Sequence, residues 1–227
     1  MCLFAVDGTW SVDFNSRRAG NDQVGRPVGN QAGDMRSNTR RFFEESKYPD
    51  GKKFYFRGPD DGIGGSDSTN IYRDVLACID AQIEAKNCDE IVMVGWSRGA
   101  AIISELTQGL AAREGMPTIK YVGLFDSVAM ITARSPVDER WAEAITPSVE
   151  NFAHVIAGDR TGEATVLGRR IRYTFVPADP TSNAKNPPAI LHLAQATHGG
   201  VGGDASSEHA KISYDHIRNQ ASKVGVP

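Results

Sequence analysis

The chain alternates between short apolar runs and amphipathic helical segments. Runs without polar alternation, typical of strands covered on both faces, are predicted at residues 2–6, 90–94, 119–125 and 152–157. Weaker strand patterns cover residues 53–57, 170–176 and 190–194. Helical periodicity is predicted for residues 35–48, for a segment capped by Ser68 or Thr69, and for residues 98–113, 137–145 and 206–223.

This alternation predicts an α/β fold over a single domain, residues 1–227. We expect a mostly parallel sheet of about six or seven strands with helices on both faces. In such sheets, ligand chemistry is found at the carboxyl ends of the strands. Residues 11–33, rich in Gly, Asn, Asp and Arg, are predicted to form a long surface loop, with disorder as the alternative.

The formal net charge of −3 gives no overall basic surface for a phosphate backbone. A nucleic-acid partner is therefore not expected, and a neutral small or lipid-like substrate is compatible. No stretch approaches 18 apolar residues, and the apolar opening run lacks the basic start of a signal peptide. We expect a protein without a transmembrane segment, cytoplasmic as synthesised, with transient membrane contact and leaderless secretion left open.

The three cysteines, Cys2, Cys78 and Cys88, have no metal-ligand spacing. An odd number in this arrangement predicts reduced thiols made in a reducing compartment. No metal and no cofactor are expected, and the oligomeric state stays open.

A Gly-rich stretch at residues 58–67 precedes a predicted helix and could be taken for a phosphate cradle. It has neither the Gly-Lys-Ser/Thr of a P-loop nor Gly-x-Gly-x-x-Gly spacing. Nucleotide binding is therefore disfavoured.

The strongest motif is Gly-Trp-Ser-Arg-Gly at residues 95–99, between a predicted strand and a predicted helix. In a nucleophile elbow the serine stands on a turn so sharp that only small residues fit two positions before and after it. The helix dipole also favours negative charge at this point. The alternative is a chance match in a chain with 23 glycines, but the strand and helix on either side favour Ser97 as a nucleophile.

A serine nucleophile needs a base, and the base needs an orienting carboxylate. His198 follows the last predicted strand in a glycine-rich loop, where a base is expected. By contrast, His154 and His192 lie inside strands, and the remaining two histidines lie on the last helix. Asp126 and Asp159 each follow a strand after the serine, and spacing does not decide which of them is the acid.

An oxyanion needs two N–H donors. The Arg98 N–H, directly after the serine, is one candidate. Gly8 or Thr9 would supply the second if the first strand neighbours the nucleophile strand. Asp7, just before them, could be only a turn former.

Four stretches together resemble the catalytic domain of the first class of type VI secretion lipase effectors. That family reads Phe-Asp-Gly-Thr-Trp, Gly-Phe-Ser-Arg-Gly-Ala, Phe-Asp-Thr-Val and Gly-x-His-x-Asp-Val-Gly-Gly-Gly in this order. The matching stretches are residues 6–10, 95–100, 125–128 and 198–203, with Gly200 in place of the family's aspartate. The resemblance implies an α/β-hydrolase-like fold. It also implies Ser97 as nucleophile, His198 as base and Asp126, rather than Asp159, as acid.

The resemblance also implies hydrolysis of carboxylic esters, as a lipase, phospholipase or esterase. The family's effectors add a large membrane-engaging region, so for this compact chain we expect small or soluble esters. The alternatives are an acyltransferase or thioesterase with the same triad, and a binding module that keeps the fold without turnover.

Overall fold

The computed structural model describes residues 1–9, 37–59, 66–130, 144–166, 169–204 and 207–227. Within these residues the elements, in chain order, are β1 (Cys2–Val6), α1 (Asn38–Glu45), β2 (Lys53–Phe56), α2 (Ser66–Glu84), β3 (Glu90–Trp96), α3 (Arg98–Ala111), β4 (Thr118–Phe125), β5 (Val128–Met130), β6 (Ala144–Ile145), β7 (Val149–Asp159), β8 (Thr161–Val166), β9 (Arg169–Thr174), β10 (Val176–Pro177), β11 (Thr181–Ser182), β12 (Ala189–Thr197), α4 (His198–Gly202) and α5 (Glu208–Lys223).

The centre of the fold is a six-stranded sheet in the order β12-β7-β4-β3-β1-β2. Every neighbouring pair in it is parallel. The predicted α/β fold class, with a mostly parallel sheet of about six strands, is therefore confirmed. Because β1 pairs directly with β3, the loop after the first strand lies beside the loop after the nucleophile strand.

Helices cover both faces of this sheet, as the apolar patterns predict. On one face, α2 and α3 bury Ile71, Val75 and Ile79 together with Ile102 and Leu106. The opposite face is covered by α1 and α5, whose buried side chains are Phe42, Phe43, Tyr214, Ile217 and Ala221. The strands buried between these layers are apolar on both sides, which is why β1 and β3 read as unbroken apolar runs.

Some predicted boundaries and pairings are wrong. Residues 169–174 form β9, which pairs antiparallel with β8 in a separate hairpin, so this run is not a strand of the main sheet. Of the helix predicted at 137–145, residues 137–143 lie outside the described residues, and residues 144–145 form β6, paired with β11. The helix expected to be capped by Ser68 or Thr69 already includes residue 66. The loop predicted at residues 11–33 lies outside the described residues.

The cysteines also differ from expectation. Cys2 and Cys88 form a disulfide, with their Cα atoms 5.5 Å apart, and Cys78 is the free thiol. The sequence hides this pairing because 86 residues separate the two. Cys2 begins β1 and Cys88 lies just before β3, so the parallel pairing of these strands brings them together. Within the described residues, no helix is both long and apolar enough to cross a membrane.

Candidate active site

The ends of four parallel strands meet at one edge of the sheet and carry the predicted site residues. Ser97 follows β3, Asp126 follows β4, and His198 follows β12. Gly8 and Thr9 follow β1, on the other side of β3. Residues spread over nearly the whole chain therefore converge because all six strands point the same way.

The turn at Ser97 has the geometry expected of a nucleophile elbow. Its φ of 58° and ψ of −126° are strained for a residue with a side chain. A Cβ at Gly95 would lie 2.9 Å from the Ala100 backbone, and one at Gly99 would lie 2.3 Å from the Asp7 carbonyl oxygen. Both positions therefore require glycine, as the motif predicts.

Ser97, His198 and Asp126 form one continuous hydrogen-bonded chain. The His198 Nε2 atom lies 2.9 Å from the Ser97 Oγ atom, and the His198 Nδ1 atom lies 2.6 Å from Oδ2 of Asp126. An ionised carboxylate only accepts hydrogen bonds, so Nδ1 carries the ring proton and Nε2 is left to accept from the serine hydroxyl. The imidazole is thereby placed to take a proton from Ser97.

His198 is held by a short helix rather than by the flexible glycine loop predicted for it. It is the first residue of α4, where the Thr197 side chain accepts a hydrogen bond from the Gly200 N–H at 3.0 Å. The glycines after His198 permit close packing: a Cβ at Gly202 would lie 2.0 Å from the Trp96 ring. The glycine-rich stretch therefore fixes the imidazole instead of letting it swing.

Asp126 is fully buried and fully engaged. Its Oδ1 atom accepts hydrogen bonds from the Ala157 N–H at 2.9 Å and from the Arg160 Nε at 2.8 Å. Burial alone raises the pKa of Asp126, but the hydrogen bond and charge of His198, together with Arg160 and the Ala157 N–H, lower it overall. Asp159, the alternative acid, instead accepts from the Thr161 N–H and hydroxyl at 3.0 and 2.7 Å.

The remaining histidines have other surroundings. His154 lies inside β7 and is buried, and its Nε2 accepts the Ser127 N–H at 3.2 Å. Burial lowers the pKa of His154 to about 4, so this ring is neutral near neutral pH. His192 lies on β12, and His209 and His216 lie half-buried on α5.

The loop after β1 is fixed by the Asp7 carboxylate. Its Oδ2 atom accepts from the Ser37 and Tyr55 hydroxyls, each at 2.5 Å, and its Oδ1 atom accepts from the Gly8 N–H at 2.8 Å. Burial and the Asp7 charge raise the pKa of Tyr55 well above its usual value, so this hydroxyl keeps its proton. Asp7 therefore holds this loop in place. It also accepts a hydrogen bond from the Gly8 N–H, one of the two candidate oxyanion donors in the loop.

Gly8 touches both the nucleophile and a second glycine. A Cβ on Gly8 would lie 3.0 Å from the Ser97 Cβ, and a Cβ on Gly58 would lie 1.5 Å from the Gly8 carbonyl oxygen. This loop therefore runs directly against Ser97, and its position depends on a bare backbone at residue 58.

Two aromatic rings flank the imidazole. The Phe175 ring centroid lies 4.1 Å from that of His198, and the Trp96 centroid lies 5.7 Å from it. With these neighbours, Ser97 is 3% and His198 5% exposed. The walls beside the reactive atoms are thus aromatic. No cluster of three metal-ligating side chains lies in the described parts of the chain.

Several residues around the site were not predicted from sequence, namely Arg160, Phe175, Gly58 and Tyr55. Arg160 offered a weak signal, because it directly follows the end of β7, at the edge where site residues gather. Phe175 follows a hairpin whose position beside His198 depends on tertiary packing, so its sequence carried no signal.

The chain matches no protein-family model and no curated protein. Among solved structures it is similar to an uncharacterized protein from Pseudomonas aeruginosa, with a TM-score of 0.59 and 13% identity over 100% of this chain and 46% of that one. It therefore spans about half the length of that protein. A hydrolase candidate described as YdeN-like, from Pectobacterium atrosepticum, has a TM-score of 0.45 and 11% identity, with 100% and 94% of the two chains covered. At 13% identity, the similarity to the Pseudomonas aeruginosa protein shows the fold alone.

Proposed function

We propose that the chain is a serine hydrolase that cleaves carboxylic esters through an acyl-enzyme. The observation that carries this proposal is the hydrogen-bonded chain from the Ser97 hydroxyl through His198 to Asp126, with a strained elbow at the serine. A serine kept only for structure needs neither the strain nor the two aligned partners. The motif resemblance to a lipase-effector family supports the same chemistry.

In the proposed reaction, His198 accepts the Ser97 proton as the serine oxygen attacks the ester carbonyl. The negative charge then forms on the former carbonyl oxygen. The Arg98 N–H belongs to the first turn of α3, whose N–H groups point out of the helix end, and it serves as one donor to this oxygen. His198 next gives its proton to the departing alcohol, and afterwards activates water to release the acid.

We assign the second oxyanion donor to Thr9 rather than Gly8. The Gly8 N–H donates to the Asp7 carboxylate at 2.8 Å, so using it for an oxyanion would break a hydrogen bond to a buried charge. Thr9 directly follows Gly8, which lies against Ser97. The carboxylate that holds Gly8 would then fix the direction of the following N–H.

The aromatic walls favour an apolar acyl group over a charged one. Trp96 and Phe175 both lie against His198, so a substrate reaching Ser97 passes apolar rings. Apolar surface of this kind binds alkyl or aryl groups by excluding water. An ester with an apolar acyl group, either a small soluble ester or a lipid, is therefore the finer form of the proposal.

The test combines two measurements: covalent labelling by a fluorophosphonate probe, and hydrolysis rates on a panel of esters. We expect the wild type to react with the probe and Ser97→Ala not to react, with turnover lowered by on the order of 10⁴ to 10⁶. Ser104→Ala is the matched control, since Ser104 is a buried serine of α3 that donates to the Ala100 carbonyl. Retained hydrolysis in Ser97→Ala would refute the proposal. Preferred transfer to added alcohols or thiols would point to an acyltransferase, and absence of both labelling and turnover would point to a binding module.

A further inference from the structure

Arg160 lies between two carboxylates, one of which belongs to the proposed triad. Its Nε atom donates to Oδ1 of Asp126 at 2.8 Å, and its Nη2 atom lies 2.7 Å from the same oxygen. On the other side, Nη1 and Nη2 donate to the two oxygens of Asp179 at 2.7 and 2.6 Å. The Arg160 side chain is 10% exposed, whereas that of Asp179 is 36% exposed. One cation is therefore shared between a buried carboxylate and a partly exposed one.

The two oxygens of Asp126 have different tasks. Oδ2 faces the imidazole of His198, while Oδ1 faces Arg160 and the Ala157 N–H. Ionic hydrogen bonds to Oδ1 hold the carboxyl plane and draw negative charge away from Oδ2. They therefore fix the direction in which His198 is held, and they limit how strongly an imidazolium is stabilised.

The backbone of Arg160 contacts the site from a second side. Its carbonyl oxygen accepts the Phe175 N–H at 2.8 Å, and the Phe175 ring lies against His198. Residue 160 thus supports the imidazole through Asp126 and through Phe175. Substituting the side chain alters the first support and leaves the backbone bond available.

We propose that Arg160 is a positioning residue for the hydrolase reaction, and that Asp179 controls how much of its positive charge acts on Asp126. This inference rests on the proposed function, because it concerns the same triad. Besides Arg160 and Asp179, His154 of β7 belongs to this group: its Nε2 atom lies 3.8 Å from Oδ1 of Asp179, and its ring remains neutral over the assay range. The buried Arg98 directly follows Ser97 in the chain. The Arg160 charge favours the ionised form of the Asp126 carboxyl group, and the Asp179 charge offsets part of the Arg160 charge.

The test compares the pH dependence of kcat/KM on a soluble short-chain ester in the wild type, Arg160→Gln and Asp179→Asn. The half-point is the pH on the acid side at which kcat/KM falls to half of its maximal value, the plateau. We expect Arg160→Gln to raise the half-point by about 1 pH unit and to lower the plateau about 10-fold, since a nearby cation is lost. Asp179→Asn should move the half-point downward, because Arg160 then acts on Asp126 alone. Arg160→Lys should restore the half-point but only part of the plateau, since an ammonium lacks the guanidinium fork.

Arg113→Gln is the matched control. Arg113 also pairs with an aspartate through two hydrogen bonds, to Asp80, but on the exposed surface beyond α3. Its profile should match that of the wild type. The inference would be overturned if the half-points of Arg160→Gln and Asp179→Asn moved in the same direction, or if the half-point of either variant did not move. If Arg160→Gln does not fold, Asp179→Asn decides by the sign of its shift.

Following the imidazole of His198 by NMR during a pH titration separates this inference from the proposed function. The opposite displacements of the titration midpoint are expected whether or not an ester is turned over. Opposite displacements without any Ser97-dependent hydrolysis would refute the proposed function and retain the charge coupling. Normal hydrolysis with unmoved midpoints would refute the coupling and retain the function.

Discussion

The contact between Gly58 and Gly8 gives a quantitative test of how the loop after β1 is positioned. A Cβ at residue 58 would lie 1.5 Å from the Gly8 carbonyl oxygen, 2.2 Å from its carbonyl carbon and 2.8 Å from the Asp7 carbonyl oxygen. Carbon–oxygen contacts are ordinarily about 3.3 Å or longer, so Gly58→Ala requires the two backbones to separate by about 1.8 Å. No flexible side chain is available to absorb this movement, because all three atoms belong to the backbone.

The displaced segment carries the proposed oxyanion donor Thr9. A misplacement of about 1 Å at a reacting centre can cost on the order of 10²-fold in rate, and removal of one oxyanion donor costs 10²- to 10³-fold. We therefore expect Gly58→Ala to lower kcat/KM for a short ester by about 10²-fold. The effect should fall mainly on kcat, because the donor acts in the transition state.

Gly109→Ala serves as the control for this substitution. There the added Cβ would meet only the hydroxyl end of Tyr72, which can move, and alanine favours the helical conformation of α3. Thermal unfolding followed by circular dichroism would show whether each variant is folded. A folded Gly58→Ala variant with at least half of the wild-type kcat/KM would refute the proposed dependence of the loop on this contact.

Three further predictions concern the acid, a buried histidine and the anchor of the loop. Asp126→Asn should lower kcat/KM by on the order of 10³-fold or more, while Asp159→Asn should stay within about threefold of wild type; the reverse order in a kinetic comparison would exchange the two roles. His154 should destabilise the fold as the solution is acidified: its pKa in the folded state is about 4, so stability present above the unfolded value near 6.5 is lost as pH falls towards 4, by about 3 kcal/mol. Between pH 7 and 4.5, the free energy of unfolding measured with urea should fall less in His154→Gln than in the wild type. An equal fall in both proteins would contradict this prediction. Tyr55→Phe removes a hydroxyl donor to the buried Asp7 carboxylate and should lower the free energy of unfolding by about 1 to 3 kcal/mol, measured with urea at pH 7. A change below a few tenths of a kcal/mol would show that this hydrogen bond contributes little.

Local patterns along the sequence determined most of the fold. Apolar runs located β1, β3 and β4 to within a residue or two, and helical periodicity located α2 and α5 to within a few residues. These predictions succeed because a parallel strand buried on both faces leaves an unbroken apolar run, whereas a helix packed on a sheet leaves a periodic apolar face. The elbow at Ser97 was recognisable for a related reason, since the required glycines occupy fixed neighbouring positions.

What the sequence left open depends on which strands become neighbours. Spacing did not separate Asp126 from Asp159; the order β12-β7-β4-β3 places the Asp126 carboxylate beside His198 and leaves Asp159 bonded to Thr161. The same applies to the Cys2–Cys88 disulfide, which the sequence did not indicate.

The surroundings of the reactive atoms were decided by tertiary structure alone. The bridge from Arg160 to Asp126 and Asp179, and the Phe175 ring over His198, join residues that no local pattern connects. The physical reason is that sequence periodicity reports which face of an element is buried, whereas hydrogen bonds at strand ends depend on the pairing order of the whole sheet. The sequence thus determined the main elements and the candidate site residues, and only the folded sheet determined the partners that hold them.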